Sequence, residues 1–322
     1  MSEMLNLSAE LRRAWKDSAA LTATSVLMLA ALVAACIGLL LDPRSITGAP
    51  AWLKPAKFAI STAIFSGTIA WLYRYITVWP GFMRAIGWIL SAVLVLEVAL
   101  IDVQAARGTT SHFNVATPLD SALFAIMGAA IAFLWLASVA VLVALFRQRF
   151  DNPAWGWLLR LGMLTTVLGS AGGGFMIRMT PEQTAALHAT HTVRAVGGHT
   201  VGAPDGGPGL PGLGWSEQHG DLRPPHFFGL HGLQIIPFLG WLAMRRRRIQ
   251  GTRQQTNFAF VIAASYLALV GIMTWQALRG QSIIEPDGAT LAAAALWLIA
   301  TAVAIFLERD VWSPERAQAA AR

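Results

Sequence analysis

Three of the seven histidines in this 322-residue chain stand where apolar runs end and ionisable groups gather. His112 lies in SHFN (Ser111 to Asn114), just after a segment carrying Glu97, Asp102 and Gln104. His226 and His231 lie in GDLRPPHFFGLHGLQ (Gly220 to Gln234). Imidazole is both the commonest metal ligand and the side chain that exchanges protons near neutral pH. A zinc-type centre needs three protein ligands and an open position for water. His112, His226 and His231 as ligands, with Glu97 and Asp102 as the acid–base groups, would therefore make a metal-dependent enzyme. A haem version would use histidines on facing helices, with Arg107 and Arg223 near the propionates. The same neighbourhood admits a second chemistry. Glu97, Gln104, Lys57 and Gln234 would line a polar cavity, with Glu97 as the carboxylate of a proton-coupled transporter or binding protein for a small solute. In a third reading the polar groups only join helices in a structural or assembly subunit.

Spacing sharpens these readings. Glu97 and Gln104 are seven apart and share a helical face, whereas Asp102 points about 140° away from Glu97. His231 and Gln234 share a face, while His226 and His231, five apart, do not stack cleanly. Gly229 and Gly232 flank His231, which suits either a flat cofactor or close helix packing. Pro237 frees the Leu233 carbonyl and predicts a kink or polar pocket. Only three of the twenty-four basic residues are lysines, and Lys54 and Lys57 bracket Pro55 at the start of an apolar run. A buried carboxylate either protonates or finds a partner, so Glu97 is expected beside a cation, with Lys57 and Arg107 as first candidates. Thr117-Pro118 with Asp120 predicts a helix N-cap, N1 and N3.

These residues need elements to position them, and composition says which. The chain is 55% hydrophobic and 13% charged, against about 25% charged in soluble domains. Segments of ~20 apolar residues span a bilayer, and eight qualify: 19–41, 56–76, 84–104, 119–146, 155–177, 226–244, 257–278 and 289–307. Lipid leaves helices as the spanning form, so an all-α polytopic bundle in one membrane domain, 1–322, is expected. The lone Cys36 excludes an internal disulfide, and the apolar IGLLL after it marks a retained span rather than a cleaved signal. Sixteen of the twenty-four Lys and Arg fall on the side of the termini and of Arg245 to Arg248, and eight on the other. Both termini are therefore expected in the cytoplasm. The net charge of +7 reflects that orientation and gives no support to a nucleic-acid partner.

On this topology the unusual residues face outward, beneath a Gly/Pro-rich cap loop from 180 to 225. Gly207 to Gly212 formally matches G-x-G-x-x-G, but no strand precedes it and Pro208 and Pro211 remove amides that a pyrophosphate needs. Trp215 and Leu213 are expected to pack the cap down, and Asp221 and Arg223 to order it by pairing with each other or with groups in SHFN. His112, His226 and His231 are expected to converge below it. The ligand would be a small molecule or one arriving from the lipid phase.

LKPAKF (Leu53 to Phe58), QAARGTTSHFN (Gln104 to Asn114) and HTVGAPDGGPGLPGLGWS (His199 to Ser216), running into GDLRPPHFFGLHGLQ, resemble a family of uncharacterised multi-spanning bacterial inner-membrane proteins. The resemblance implies a bacterial inner-membrane location and carries over no activity.

Overall fold

A computed structural model describes residues 7–247 and 251–310. The expected cytoplasmic ends, with Arg316 and Arg322, and Arg248 of the arginine run lie outside the described residues. In chain order the helices are α1 (Leu7–Asp17), α2 (Ala19–Leu41), α3 (Leu53–Tyr73), α4 (Pro80–Ala106), α5 (Pro118–Arg147), α6 (Pro153–Ala171), α7 (Pro181–Thr190), α8 (Arg223–Leu230), α9 (Gly232–Arg247), α10 (Thr252–Leu278) and α11 (Gly288–Asp310). Two short antiparallel pairs accompany them, β1 (Ser45–Ile46) with β2 (Ala49–Pro50) and β3 (Thr200–Val201) with β4 (Gly220–Asp221).

Among the described residues, α2, α4, α5, α10 and α11 are long and apolar enough to cross a membrane. The pair α8–α9, bent by 58° at its break, makes a sixth if counted as one span. The remaining two of the eight expected spans fall short of that standard. Helix α3 carries Lys54 and Lys57 in its first turns, with Ser61, Thr62, Ser66 and Thr68 beyond them. Helix α6 has only 19 residues, with Arg160 in its middle. The expected continuous span 226–244 is instead broken at His231. The expected 180–225 loop also holds structure of its own: α7 begins with a full capping box between Thr180 and Gln183, and β3 pairs with β4.

The chain forms two compact units. The first comprises residues up to 148 with 175–198 and 204–214. Here α2 packs on α3, both pack on α4, and α4 packs on α5. Met28, Ala63 and Val98 meet in its core, and the Ser25 hydroxyl donates to the Ala63 carbonyl at 2.9 Å. The β1–β2 turn uses Thr47 (φ 48°) and Gly48 (φ 79°), the paired positive φ that a two-residue hairpin of this twist requires. The second unit comprises 149–174, 199–203 and 215 onward. Leu158 of α6, Ile236 of α9 and Ala259, Ala263 and Tyr266 of α10 form its core.

Candidate functional site

In the first unit the polar residues of α3, α4 and the connection after α4 come together. Glu97 and Gln104 share a buried face of α4, 4% and 0% exposed. Asp102, on another side of the helix, is only half-buried. The connection leaves α4 at Arg107 and is tied to the end of α2, because Arg44 donates to the Ala106 carbonyl at 3.0 Å. Asp42 orients Arg44 and accepts from the Trp52 indole at 2.8 Å. Hydrogen bonds from Arg44 first, then from Trp52, hold the Asp42 carboxyl well below the usual carboxylate range.

The chain then turns back through Phe113, buried and in the left-handed region at φ 63°. Such backbone persists only where its surroundings over-determine it. The surroundings are visible. Val196 donates to the Phe113 carbonyl at 2.9 Å and Val115 to that of Arg194 at 3.0 Å, while Asn114 bridges to Ala195. The cap segment thus clamps the residues on either side of His112. At Gly197 (φ 92°) a side chain would meet the Met176 carbonyl at 2.2 Å, so only glycine lets the segment approach this closely.

His112 is thereby aimed inward. Its Nε2 lies 3.4 Å from Glu97 Oε1, and its Nδ1 lies 3.1 Å from Lys54 Nζ and 3.0 Å from Ser111 Oγ. An ammonium only donates, so a charged Lys54 makes Nδ1 the acceptor and leaves the proton on Nε2, facing the carboxylate. Phe58 packs on the imidazole at 5.7 Å between ring centroids, and Lys54 also lies 5.7 Å from the Phe58 ring centroid. The contact with Glu97 is an ion-pair distance without hydrogen-bond geometry. Both Glu97 oxygens are buried with no hydrogen-bond partner among the described residues.

The partners expected for Glu97 are engaged elsewhere. Lys57 donates to the Leu213 carbonyl of the cap at 2.9 Å. Arg107 pairs with Asp120 at 2.7 Å and with the Gln104 side chain, and Gln104 donates to Asp120 at 3.1 Å. Asp120 does occupy the N3 position after the Thr117 cap, its amide donating to the Thr117 hydroxyl at 3.1 Å. Its carboxylate, however, serves Arg107 and Gln104 as well. Gln104 and Arg107 therefore brace the end of α4.

In the second unit His226 and His231 have local duties. His226 Nδ1 is 2.7 Å from the Gly169 carbonyl of α6. His231 ends α8 at the helix break, its ring 4.4 Å from that of Phe227. Thr166 of α6 spans the break: its hydroxyl donates to the Leu230 carbonyl at 3.1 Å and accepts from the Leu233 amide at 3.0 Å. The gap made by Gly229 and Gly232 is filled by α6, not left for a cofactor. A side chain at Gly169 would meet the Gly229 Cα at 2.4 Å, and one at Gly232 would meet Thr165 at 2.6 Å. Pro237 sits inside α9, beyond the break. Gln234, between the break and Pro237, is half-buried, its backbone N–H donating to the His231 carbonyl at 3.1 Å. Asp221 and Arg223 pair as expected, at 2.6 Å, and Asp221 also accepts from the Ser216 amide at 2.7 Å.

Among the described residues no group of three or more His, Cys, Asp or Glu is arranged to hold a metal ion. The triad of His112, His226 and His231 is thus without support, because each ring is committed to neighbours in its own unit. Thr166 and Ser111 are the polar participants that sequence reasoning missed. Both are single hydroxyls, and no spacing rule marks them. Residues 180–183, TPEQ, did carry a readable capping-box signature for α7.

The described residues form a mostly helical protein with five or six helices apolar enough to cross a membrane, and a Lys–His–Glu cluster in its first unit. Comparison with protein-family models, with curated proteins and with solved structures found no match.

Proposed function

We propose that this chain is a multi-pass protein of a bacterial inner membrane that binds a small polar solute at the Lys54–His112–Glu97 cluster and couples binding to proton exchange. In this reading there are eight spans, both ends are cytoplasmic and the cluster faces the periplasm. The charge partition and the resemblance drawn above support that placement. α3 and α6 cross with help from their neighbours, Lys54 and Lys57 reaching toward the outer surface.

One observation carries the proposal: a buried carboxylate with neither oxygen hydrogen-bonded among the described residues, facing an imidazole. A buried polar group left unsatisfied costs ~1–3 kcal/mol, and inside membranes such groups mark ion and proton pathways. In this reading His112 is a shuttle, with Lys54 on one side and Glu97 on the other. Lys54 gives a proton to Nδ1 as Nε2 gives one to Glu97, so an ammonium and a carboxylate become an amine and a carboxylic acid. His112 stays neutral and ends as the other tautomer. Lys54 is then reprotonated from the outer side. A solute with hydrogen-bond donors would satisfy Glu97 in its charged form, so solute and proton compete for the same oxygens. The metal- or haem-dependent enzyme gains no comparable observation.

Proteoliposomes loaded with a pH-sensitive dye and screened with small polar solutes test this. Solute-dependent proton movement should be lost in Glu97→Gln and His112→Ala and retained in His226→Ala. Equal loss in His226→Ala, or stoichiometric metal or a haem spectrum in purified protein, would contradict it.

A further inference from the structure

Helix α1 plays no part in the cluster, yet its faces are sharply sorted. At ~100° per residue, Leu11 and Trp15 project about 40° apart, and Arg13 lies roughly opposite Trp15. Leu11 and Trp15 are 42% and 53% exposed. A third face turns to the bundle, where Arg74, capping the end of α3, lies 3.6 Å from Glu10 and 3.3 Å from Asp17. Arg12 and Lys16 are exposed and lie on the Trp15 side of the apolar edge, about 60° and 100° from Trp15.

Only Ser18 separates α1 from α2, a 23-residue helix apolar enough to cross a membrane. Gly87 in the second turn of α4 lies beside Ser18, a side chain there meeting its hydroxyl at 3.4 Å. The start of α2, the end of α3 and the start of α4 are therefore level, and α1 is held at that level by Arg74. A helix fixed at the edge of a span, with a tryptophan on one side and cations beside it, has the make-up of interfacial helices.

We propose that α1 lies flat in the bilayer–water interface. Leu11 and Trp15 enter the acyl boundary, Arg12 and Lys16 contact anionic phospholipid headgroups, and Arg13 faces water. Two pairings to Arg74 fix the rotation of the helix, so the exposed apolar edge is presented to lipid rather than to chance. The proposal is independent of the Glu97 reading.

Full-length protein in a Cys36→Ser background, with Leu11→Cys, Arg13→Cys or Trp15→Cys carrying a nitroxide, tests it. The samples are reconstituted in phosphatidylcholine vesicles with and without phosphatidylglycerol. All three positions are exposed, and a monodisperse elution profile confirms that each variant folds. At positions 11 and 15, oxygen should reach the label several-fold more readily than a water-soluble nickel chelate, with the reverse at 13. Phosphatidylglycerol should increase the contrast at 15, and Arg12→Gln with Lys16→Gln should abolish that increase. Ready access of the nickel chelate at 11 and 15 would overturn the proposal. So would shielding from both reagents, which would mean a protein contact such as a second copy. No response to phosphatidylglycerol would overturn the headgroup assignment.

Discussion

Two polar regions of this molecule look alike on paper and differ in one respect. At the α8–α9 break Thr166 holds a backbone group on each side, and His226 lies on the Gly169 carbonyl. At the Lys54–His112–Glu97 cluster the imidazole is held from behind, yet the carboxylate it faces has no hydrogen bond among the described residues. Completed polar networks rigidify a fold, while an incomplete buried one lowers stability. On the proposed function the first region belongs to the structure, and the second keeps a group in reserve for chemistry. Mutations should separate the two, the first losing stability and the second losing function.

The largest effect is expected at the helix crossing. Gly169→Leu drives a side chain into the Gly229 backbone, which is 2.4 Å from the position of its first carbon. Overpacking typically costs ~1–3 kcal/mol and more where backbone must move. Size-exclusion profiles in detergent should show little folded protein. Normal yield would mean the two helices can separate freely.

Glu97→Gln comes next and should act in the opposite way. Removal of a positioned proton-transfer group typically lowers a rate ~100-fold or more. Solute-linked proton movement should fall by about that factor, while the thermal midpoint stays level or rises, since a buried ionisable group is replaced by a neutral one. A lower midpoint with retained activity would make Glu97 structural after all.

Thr166→Val is expected to cost ~2 kcal/mol, because it leaves the Leu230 carbonyl and Leu233 amide of a buried break unpartnered. A thermal melt reads this directly, and activity per folded molecule should not change.

The smallest effect lies at the rim of the second unit. Asp287, just before α11, pairs with Arg279 and accepts from the Thr290 amide. The Arg279 guanidinium first, then Thr290, hold its carboxyl well below the usual carboxylate range. A carboxyl lowered in the folded state contributes stability above its unfolded value and loses it as pH falls toward the folded one. The melting temperature should therefore drop slightly between pH 5 and pH 3, and Asp287→Asn should flatten that slope. The group is exposed, so screening keeps the effect small.

These contrasts also show what can be read from sequence. Hydropathy located α2, α4, α5, α10 and α11 to within a few residues, because lipid selects for uninterrupted apolar length. It also picked out α3 and α6, which carry Lys54, Lys57 and hydroxyls in the one and Arg160 in the other and fall short of that apolar standard. The shared face of Glu97 and Gln104 followed from helical periodicity, as did the N-cap at Thr117. What periodicity cannot supply is contact between elements. The partner of Glu97 proved to be His112, delivered by a left-handed turn at Phe113 and a clamp from 194–196 that no local signal announces. Gly229 and Gly232 left two readings open, and only the position of Gly162 and Gly169 on α6 chose packing over a cofactor.

The central claim is that Glu97 exchanges a proton within the membrane domain through His112. Infrared difference spectra of reconstituted protein, recorded as pH is stepped, report carboxyl protonation directly. The account predicts a carboxyl C=O band that changes with pH, shifts in deuterated water, disappears in Glu97→Gln and moves in His112→Ala. A band that survives unchanged in Glu97→Gln, or the lack of any pH-dependent carboxyl signal in the native protein, would contradict it.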